Sequence, residues 1–340
     1  MPVVRVSPGH VRLSSAPVPE PPPLWGRVRV LACGLCGSDV RLARGMVLPK
    51  GVRYPVRPGH EVAGVLEKAA GGAPDGAGEG DVVILHPLFP CGRCAACLAG
   101  VEQRCRAARI LGLHEPGGMA ERVVWPLSRM VPAGGLPPPE AAVLADAGAT
   151  AHHALRLAAV PAGGRLCVIG AGGVGEHVIR LARALAPGVT AAAVVRSEAS
   201  FRRVRALGVH VVAGLEGAAA RLLEAVGRFD AVVDFSGSAD AASEAVRILE
   251  RGGRLVVGAT GDEPFQLGTT ISGVATREVQ VLGCYVSALA DLRAVVSLAA
   301  SGRLDVSGVV TDALPLAQAP AAFARLERRA DGPARLVLRP

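Results

Sequence analysis

One stretch of the 340-residue chain restricts its fold more than any other: "RLCVIGAGGVGEHVIRLARAL", residues 165 to 185. An apolar strand pattern runs directly into G-x-G-x-x-G, and an amphipathic helical pattern follows. Such glycines permit a tight turn, close approach of a pyrophosphate and close helix packing, while the helix start offers unpaired N–H groups and a positive dipole. The stretch therefore predicts a dinucleotide site. Its predicted cofactor-binding residues are Gly170, Gly172, Gly173, Val174 and Gly175.

The sequence on either side of this stretch predicts two domains that differ in secondary structure. Residues 150–286 alternate apolar strand patterns with amphipathic helical patterns, which predicts a doubly wound Rossmann parallel sheet covered on both faces. Residues 1–149 instead hold short β-like runs, such as "RVRVLACG" and "GDVVILHPL", between Gly and Pro turns. We therefore predict an α/β protein with a β-rich domain that includes residues 1–149, followed by a dinucleotide-binding domain of residues 150–286.

Composition excludes several classes of function. The formal charge is +8, but the arginines are scattered and aromatic residues make up only 3% of the chain, which argues against a nucleic-acid binder. A basic surface is consistent with simple solvation or with an anionic cofactor or substrate, and both alternatives stay open. No apolar run approaches the roughly 20 residues of a membrane span, and the N-terminus lacks a signal-peptide pattern. We expect a cytoplasmic protein without membrane contact.

Cysteine spacing predicts a metal site. The chain has eight cysteines, and four of them fall in "CGRCAACLAGVEQRC", with the spacing C-x2-C-x2-C-x7-C. Four thiolates from one loop can converge on a single tetrahedral zinc ion and close its coordination shell, which is typical of a structural site. The alternative is four unrelated thiols. The predicted ligands are Cys91, Cys94, Cys97 and Cys105.

The second strand of the dinucleotide domain favours one cofactor over another. A residue about 20 positions after the glycines meets the adenosine ribose, and a carboxylate there selects NAD. That position is Val195, followed by Arg196 and Ser197, with Arg202 close in sequence. Arginine forms charge-assisted pairs with phosphate, so the pattern favours NADP over NAD. In the alternative, Arg196 points to solvent and the site is merely permissive.

The order of motifs along the chain adds a resemblance to a known family. The motifs, in order, are "CGLCGSD" (33–39), "GHE" (59–61), the four-cysteine loop, "GGMAE" (117–121) and "GAGGVG" (170–175). This series resembles the zinc-dependent medium-chain alcohol and polyol dehydrogenases over essentially the whole chain. The resemblance implies that residues 287–340 join residues 1–149 in a GroES-like catalytic domain beside the Rossmann domain of residues 150–286. It further implies nicotinamide and zinc in the cleft between them, and an oligomer, a dimer or tetramer.

The resemblance also implies a catalytic site. It places a second, catalytic zinc on Cys36, His60 and Asp146, with Asp146 where relatives carry Cys, Asp or Glu. Three protein ligands leave a fourth position for a substrate oxygen, and the cation would lower the pKa of the alcohol. The remaining implied catalytic residues are Ser38, which bonds the substrate oxygen, Asp39, which orients His60, and Glu61, which can approach the metal during ligand exchange.

The residues after Ser38 depart from the pattern of the family, whereas Arg335 matches it. Many relatives have a proton-carrying histidine two or three residues after the serine, whereas this chain has Val40 and Arg41, and arginine cannot shuttle protons near neutral pH. Arg335 resembles an arginine that binds the cofactor diphosphate, with a solvated strand residue as the alternative.

These patterns lead to one leading function and two alternatives. The leading hypothesis is an oxidoreductase that interconverts a secondary alcohol and a ketone with NADP(H). The first alternative keeps the fold but oxidises a polyol, sugar or amino-cyclitol with NAD. The second is a catalytically silent binding or structural member, since fold alone does not fix function.

Overall fold

A computed structural model describes residues 1–72, 75–261, 263–328 and 335–340. The described residues divide into two compact units. The first holds Met1–Ala149 together with the described residues from Ser287 to the C-terminus, and the second holds Thr150–Val286.

The N-terminal part of the first unit is rich in strands. Its strands are β1 (Pro2–Ser7), β2 (His10–Ser15), β3 (Trp25–Gly34), β4 (Glu61–Ala69), β5 (Val82–Leu85), β6 (Leu88–Phe89), β7 (Arg109–Ile110), β8 (Arg122–Pro126) and β9 (Met130–Pro132). Its helices are α1 (Gly37–Ala43), α2 (Ala95–Leu98) and α3 (Pro138–Val143), with single 3-10 turns at Glu102–Arg104 and Leu127–Arg129 and a π-helical turn at Leu144–Gly148.

The second unit alternates helices and parallel strands. Its elements are α4 (Ala149–Ala158), β10 (Arg165–Ile169), α5 (Gly173–Leu185), β11 (Thr190–Val195), α6 (Glu198–Arg205), β12 (His210–Ala213), α7 (Ala218–Ala225), β13 (Phe229–Asp234), α8 (Ala239–Ile248), β14 (Leu249–Val257), α9 (Ile271–Arg277) and β15 (Gln280–Gly283). The chain then returns to the first unit with α10 (Leu289–Ala300), β16 (Asp312–Pro315), a 3-10 turn at Leu316–Gln318, α11 (Ala319–Arg328) and β17 (Leu336–Arg339).

The first unit is built on a mainly antiparallel sheet of seven strands. Its strand order is β16-β17-β3-β4-β5-β9, and β8 also pairs with β3. Along β3, buried Val28 and Val30 alternate with the more exposed Arg27 and Arg29, the period-two pattern of a strand with one buried face. The C-terminal strand β17 pairs with the end of β3, so residues far apart in sequence meet there.

The second unit is a six-stranded parallel sheet in the order β12-β11-β10-β13-β14-β15. Numbered within the unit this is 3-2-1-4-5-6, the order of two mononucleotide-binding halves. The residues from Leu166 to Ile169 in β10 are all buried, as expected for a strand with helices on both faces. The predicted combination of a β-rich domain and a doubly wound parallel-sheet domain is confirmed. None of the described helices is long and apolar enough to cross a membrane.

Candidate functional site

Cys36 is fixed by the start of helix α1. It is the N-cap residue, and its backbone N–H donates to Oδ2 of Asp39 at 2.9 Å. Asp39 is fully buried, and its other oxygen, Oδ1, lies 3.6 Å from Nδ1 of His60. One buried carboxylate therefore holds the Cys36 backbone and lies beside the His60 ring, and its role in orienting that ring stays a prediction. This contact leaves Nε2 of His60 to face a metal.

His60 lies just before strand β4, and the backbone of the preceding residue, Gly59, packs closely against Cys33 and Met119. Gly59 has a φ of +102°, and a Cβ on it would lie 2.7 Å from both Sγ of Cys33 and the backbone N of Met119. A side chain at this position would therefore push the loop away from its neighbours. Nε2 of His60 lies 3.5 Å from Oγ of Ser38 and 3.5 Å from Oδ2 of Asp146.

Asp146 reaches the same place from a π-helical turn. This turn, Leu144–Gly148, joins α3 to α4, and a π turn inserts a residue that rotates the helix face. Leu144, Ala145 and Ala147 are buried, whereas Asp146 is partly exposed. Its Oδ2 lies 3.9 Å from Sγ of Cys36.

The donor set fits a zinc ion. One ligand atom each from Cys36, His60, Glu61 and Asp146 lies within 4.8 Å of the others. Burial lowers the pKa of His60, but Asp39, Asp146 and Cys36 together hold that pKa well above its ordinary value. The raised pKa reflects the acidic groups around the ring, and a divalent cation bound there would interact favourably with the same groups. A thiolate, an imidazole and a carboxylate are all zinc ligands.

Glu61 differs from the other three donors because it is bound to an arginine. It is fully buried, and its Oε1 accepts a hydrogen bond from Nη1 of Arg335 at 2.8 Å. Burial raises the pKa of Glu61, and the charge of Arg335 opposes that rise. A Cβ on Gly34, the residue paired with Glu61 in the sheet, would lie only 2.0 Å from Oε2 of Glu61. Glycine at position 34 therefore makes room for the carboxylate.

The location of Arg335 settles one of the two alternatives for this residue. Its side chain is only 6% exposed, so Arg335 is not a solvated strand residue. Its Nε and Nη2 are buried with no hydrogen-bond partner among the described residues, so they are available as donors to an anion. Binding of the cofactor diphosphate by Arg335 stays a prediction. Its ion pair with Glu61 had no signal in the sequence.

The four-cysteine loop forms a second cluster. Cys91, Cys94, Cys97 and Cys105 each offer a sulfur within 4.8 Å of the others. The Cys94–Cys97 and Cys91–Cys97 sulfur distances are 3.4 and 3.9 Å, close to the roughly 3.8 Å edge of a tetrahedron with Zn–S bonds of about 2.3 Å. All four are free thiols. The cluster fits one zinc with a closed shell.

A buried polar network joins this loop to the rest of its unit, and sequence patterns did not reveal it. Glu102, between Cys97 and Cys105, accepts hydrogen bonds from Nη2 of Arg129 at 2.6 Å and from the backbone N of Leu289 at 2.6 Å. Arg129 also lies 2.7 Å from Nδ1 of His86, which is fully buried. Burial, and then the charge of Arg129, lower the pKa of His86. The histidine is therefore neutral within this network.

The glycine-rich turn is closely packed at two of the predicted cofactor-binding glycines. Gly170 has a φ of +78°, and a Cβ there would lie 2.7 Å from the backbone N of Ser236. Gly172 is the N-cap of α5, whose first turn contains Gly173 and Val174. A Cβ on Gly175 would lie 2.6 Å from the carbonyl oxygen of Gly170. Close packing of the turn therefore requires glycine at positions 170 and 175, and binding of a pyrophosphate at the helix start stays a prediction.

The end of strand β11 carries the predicted cofactor-selecting residues. Val195 is the last residue of β11 and is buried, whereas Arg196 is exposed. Ser197 caps helix α6 by accepting a hydrogen bond from the backbone N of Ser200 at 3.2 Å. Arg202 is 73% exposed and lies 3.9 Å from Glu198.

A buried acid beside the glycine turn was not predicted. Glu176 lies in the first turn of α5 and is 2% exposed. Its carboxylate accepts from Arg203 at 2.6 Å and from Arg180 at 3.0 Å. These two arginines balance a negative charge that would otherwise repel a phosphate at the same helix start.

Two family models match the chain. Residues 23–137 match the alcohol dehydrogenase GroES-like domain, and residues 173–301 match the zinc-binding dehydrogenase model. These ranges contain every predicted metal ligand except Asp146, and they contain Gly173 to Ser197 of the cofactor site.

Individual proteins are similar over almost the full length. The NAD-dependent alcohol dehydrogenase of Sulfurisphaera tokodaii is 31% identical over 330 residues, covering 93% of both chains. The 2-dehydro-3-deoxy-L-galactonate 5-dehydrogenase of Pseudoalteromonas atlantica is 29% identical, covering 93% of this chain and 92% of its own. A zinc-binding dehydrogenase structure from Sinorhizobium meliloti bound to NADP has a TM-score of 0.87 and 27% identity, covering 100% and 99%.

Proposed function

The chain belongs to the zinc-dependent medium-chain alcohol dehydrogenase family, and we propose that it interconverts a secondary alcohol and a ketone by hydride transfer to or from NADP(H). The observation that carries this proposal is the convergence of Cys36, His60 and Asp146 from three separate elements. Three such ligands leave one tetrahedral position for a substrate oxygen. Zinc bound there would polarise that oxygen as a Lewis acid.

The chain's own residues would hold and move the proton. Oγ of Ser38 lies 3.5 Å from Nε2 of His60, beside the space where a ligand oxygen would sit. We assign it the role of a relay: it accepts the hydroxyl proton of the alcohol while its own proton passes on to solvent water, and the reverse transfer supplies a proton to a ketone oxygen. Asp39 keeps Nε2 of His60 directed into the site through its contact with Nδ1. Glu61, held by Arg335, adds a negative charge next to the three ligands.

The proposed metal chemistry and the proposed cofactor binding fall in different domains. We assign the metal chemistry to residues 1–149 and 287–340 and cofactor binding to residues 150–286. Supporting this division, Cys36, His60 and Asp146 lie in the first compact unit, whereas the glycine turn and Arg196 lie in the second.

The preference for NADP rests on the end of strand β11. Val195 offers no carboxylate to bind the ribose hydroxyls or to repel a 2'-phosphate. Arg196 follows it, exposed, immediately before the N-terminus of α6, where backbone N–H groups and the helix dipole also favour an anion. The NADP-bound structure from Sinorhizobium meliloti supports the same choice for a protein of this family.

We expect Arg196→Ala to weaken NADPH binding about 10- to 100-fold, because a charge-assisted hydrogen bond contributes about 1.5–3 kcal/mol. NADH binding should change less than twofold. Fluorescence titration of the purified protein with each cofactor measures both constants. Arg205→Ala is the matched control, since Arg205 is an exposed arginine on the same helix. It should leave both constants unchanged.

The opposite result would favour the second candidate function, NAD-dependent oxidation of a polyol or sugar derivative. That candidate is supported by the names of two relatives, an NAD-dependent alcohol dehydrogenase and a galactonate dehydrogenase. Tighter binding of NADH than NADPH, unchanged in Arg196→Ala, would remove the role proposed for Arg196.

We also propose that the protein forms a homo-oligomer. Strand β15 lies at the edge of its sheet, and among the described residues no strand pairs with its outer side. An open edge of this kind is a template for another strand. Large apolar side chains nearby are exposed: Ile271 (91%), Tyr285 (55%) and Val281 (39%). A second copy covering this edge would bury them.

We also propose a cytoplasmic location, because the free thiols favour a reducing compartment.

A further inference from the structure

Three arginines form a row across neighbouring strands near the N-terminus. Arg5 in β1 is directly opposite Arg12 in β2. On the other side of β1, Val6 and Val56 exchange backbone hydrogen bonds of 2.9 and 3.0 Å as an antiparallel bridge. The next residues across that bridge are Arg5 and Arg57. Directly opposed residues have Cβ atoms about 4.5–5.5 Å apart, so the three side chains lie within reach of one ion.

The row lies on the face of the strands that points away from the core. Val4, Val6 and Val56 belong to the hydrophobic core of the first unit. Because side chains alternate along a strand, Arg5 and Arg57 project from the opposite face. Arg5 and Arg57 are partly buried and Arg12 is exposed, so the row runs from the protein surface inward.

Among the residues that the structure describes, no carboxylate pairs with this row. Within the described residues, none of the three guanidinium groups forms an ion pair or side-chain hydrogen bond, and Nε of Arg57 is buried without a partner. Burial, and then the nearby charge of Arg5, lower the pKa of Arg57 to about 10, so it is still charged at neutral pH. Like charges directly opposite each other destabilise a sheet. The arrangement costs stability unless an anion is bound.

We propose that Arg5, Arg12 and Arg57 form a binding site for a phosphoryl group, separate from the proposed catalytic and dinucleotide sites. A phosphate monoester carries a charge of about −1.5 to −2 and three acceptor oxygens. It can therefore accept from more than one guanidinium fork at once, whereas a carboxylate balances only one. This site does not depend on the proposed oxidoreductase function, because its ligand is held by residues outside the proposed active site.

The test is thermal unfolding without cofactor, at pH 7.5 and one fixed ionic strength, in chloride, acetate or inorganic phosphate. At a phosphate concentration of about ten times Kd, we expect the melting temperature to exceed that in chloride or acetate by about 2–3 °C. A fourth arm with glycerol 3-phosphate identifies the source of the group. A larger shift with the ester indicates a phosphorylated metabolite, and an equal or larger shift with inorganic phosphate indicates the free ion.

The arginine variants are expected to change the melting temperature in different directions in phosphate and in chloride. Arg5→Gln and Arg57→Gln should lose most of the phosphate shift, yet melt at the same or a higher temperature in chloride, because repulsion is relieved. Arg12→Gln, at the exposed end, tests the site even if the inner variants do not fold, and should at least halve the shift. Arg53→Gln is the control, because Arg53 is an exposed arginine four residues from Arg57 but outside the row.

Three results would overturn the proposal. Phosphate and acetate could give equal melting temperatures. The phosphate shift could survive in Arg12→Gln and Arg57→Gln. The inner variants could melt lower in chloride while keeping the shift, which would make the row part of the packing alone.

Discussion

Replacing Asp146 by alanine is expected to remove the zinc held by Cys36 and His60 and to lower kcat/KM by about 10³-fold or more, since metal catalysis supplies several kcal/mol. The loss follows from geometry, because Oδ2 of Asp146 lies within 3.9 Å of both the Cys36 sulfur and the His60 Nε2. Metal analysis and steady-state kinetics on the same preparation measure both effects. The zinc of the four-cysteine cluster should be retained.

Asp146→Cys is the matched variant for this prediction. A thiolate is also a zinc ligand, so this substitution should restore metal binding and part of the activity, which a merely structural role for Asp146 would not predict. If Asp146→Ala keeps the full zinc content and activity, Asp146 is not a ligand. Glu61 would then be the carboxylate to test next.

Replacing Cys97 by serine is expected to release the other zinc and lower the melting temperature by about 10 °C or more, since structural zinc binding is itself folding free energy. The damage should extend beyond the loop. Glu102 lies between Cys97 and Cys105, and its displacement would leave buried Arg129 without its carboxylate partner. Differential scanning calorimetry with zinc analysis measures both quantities.

Leu98→Ala is the control for the loop. Leu98 follows Cys97 directly but is 77% exposed, so this variant should keep its zinc and its melting temperature. Cys97→Ser with unchanged zinc content and stability would show that the four cysteines are ordinary thiols.

Local patterns were enough to predict the parallel sheet and the β-rich character of residues 1–149, whereas the return of residues 287–340 to the first unit was expected from the family resemblance. The glycine turn lies between β10 and α5, as predicted. The position was predictable because the hydrophobic residues of the strand and of the helix repeat with different periods. The β-rich unit was predictable from short alternating runs such as β3. Spacing within one loop likewise brought the four cysteines into one cluster, since short separations leave the chain few ways to keep them apart.

Long-range partners were not predictable in the same way. Arg335 and Glu61 are 274 positions apart, and nothing in either local pattern indicates that they form a buried pair. Asp146 lies in a π-helical turn, but the sequence of residues 141–150, "AAVLADAGAT", is typical of an ordinary apolar helix. The Glu102, Arg129 and His86 network depends on packing of a loop against a sheet. Such features follow from tertiary packing, which one sequence does not encode locally.

We propose that this chain transfers hydride between NADP(H) and a carbon that bears oxygen, at a site built from Cys36, His60 and Asp146. To test this, NADPH deuterated at C4 is supplied with a panel of ketones, and deuterium in the alcohol is detected by mass spectrometry. We expect deuterium on the carbinol carbon with wild-type protein and at least about 10³-fold slower incorporation with Asp146→Ala. A zinc-loaded wild-type protein that binds NADPH, yet transfers no deuterium from NADPH or NADH to any ketone, would contradict it.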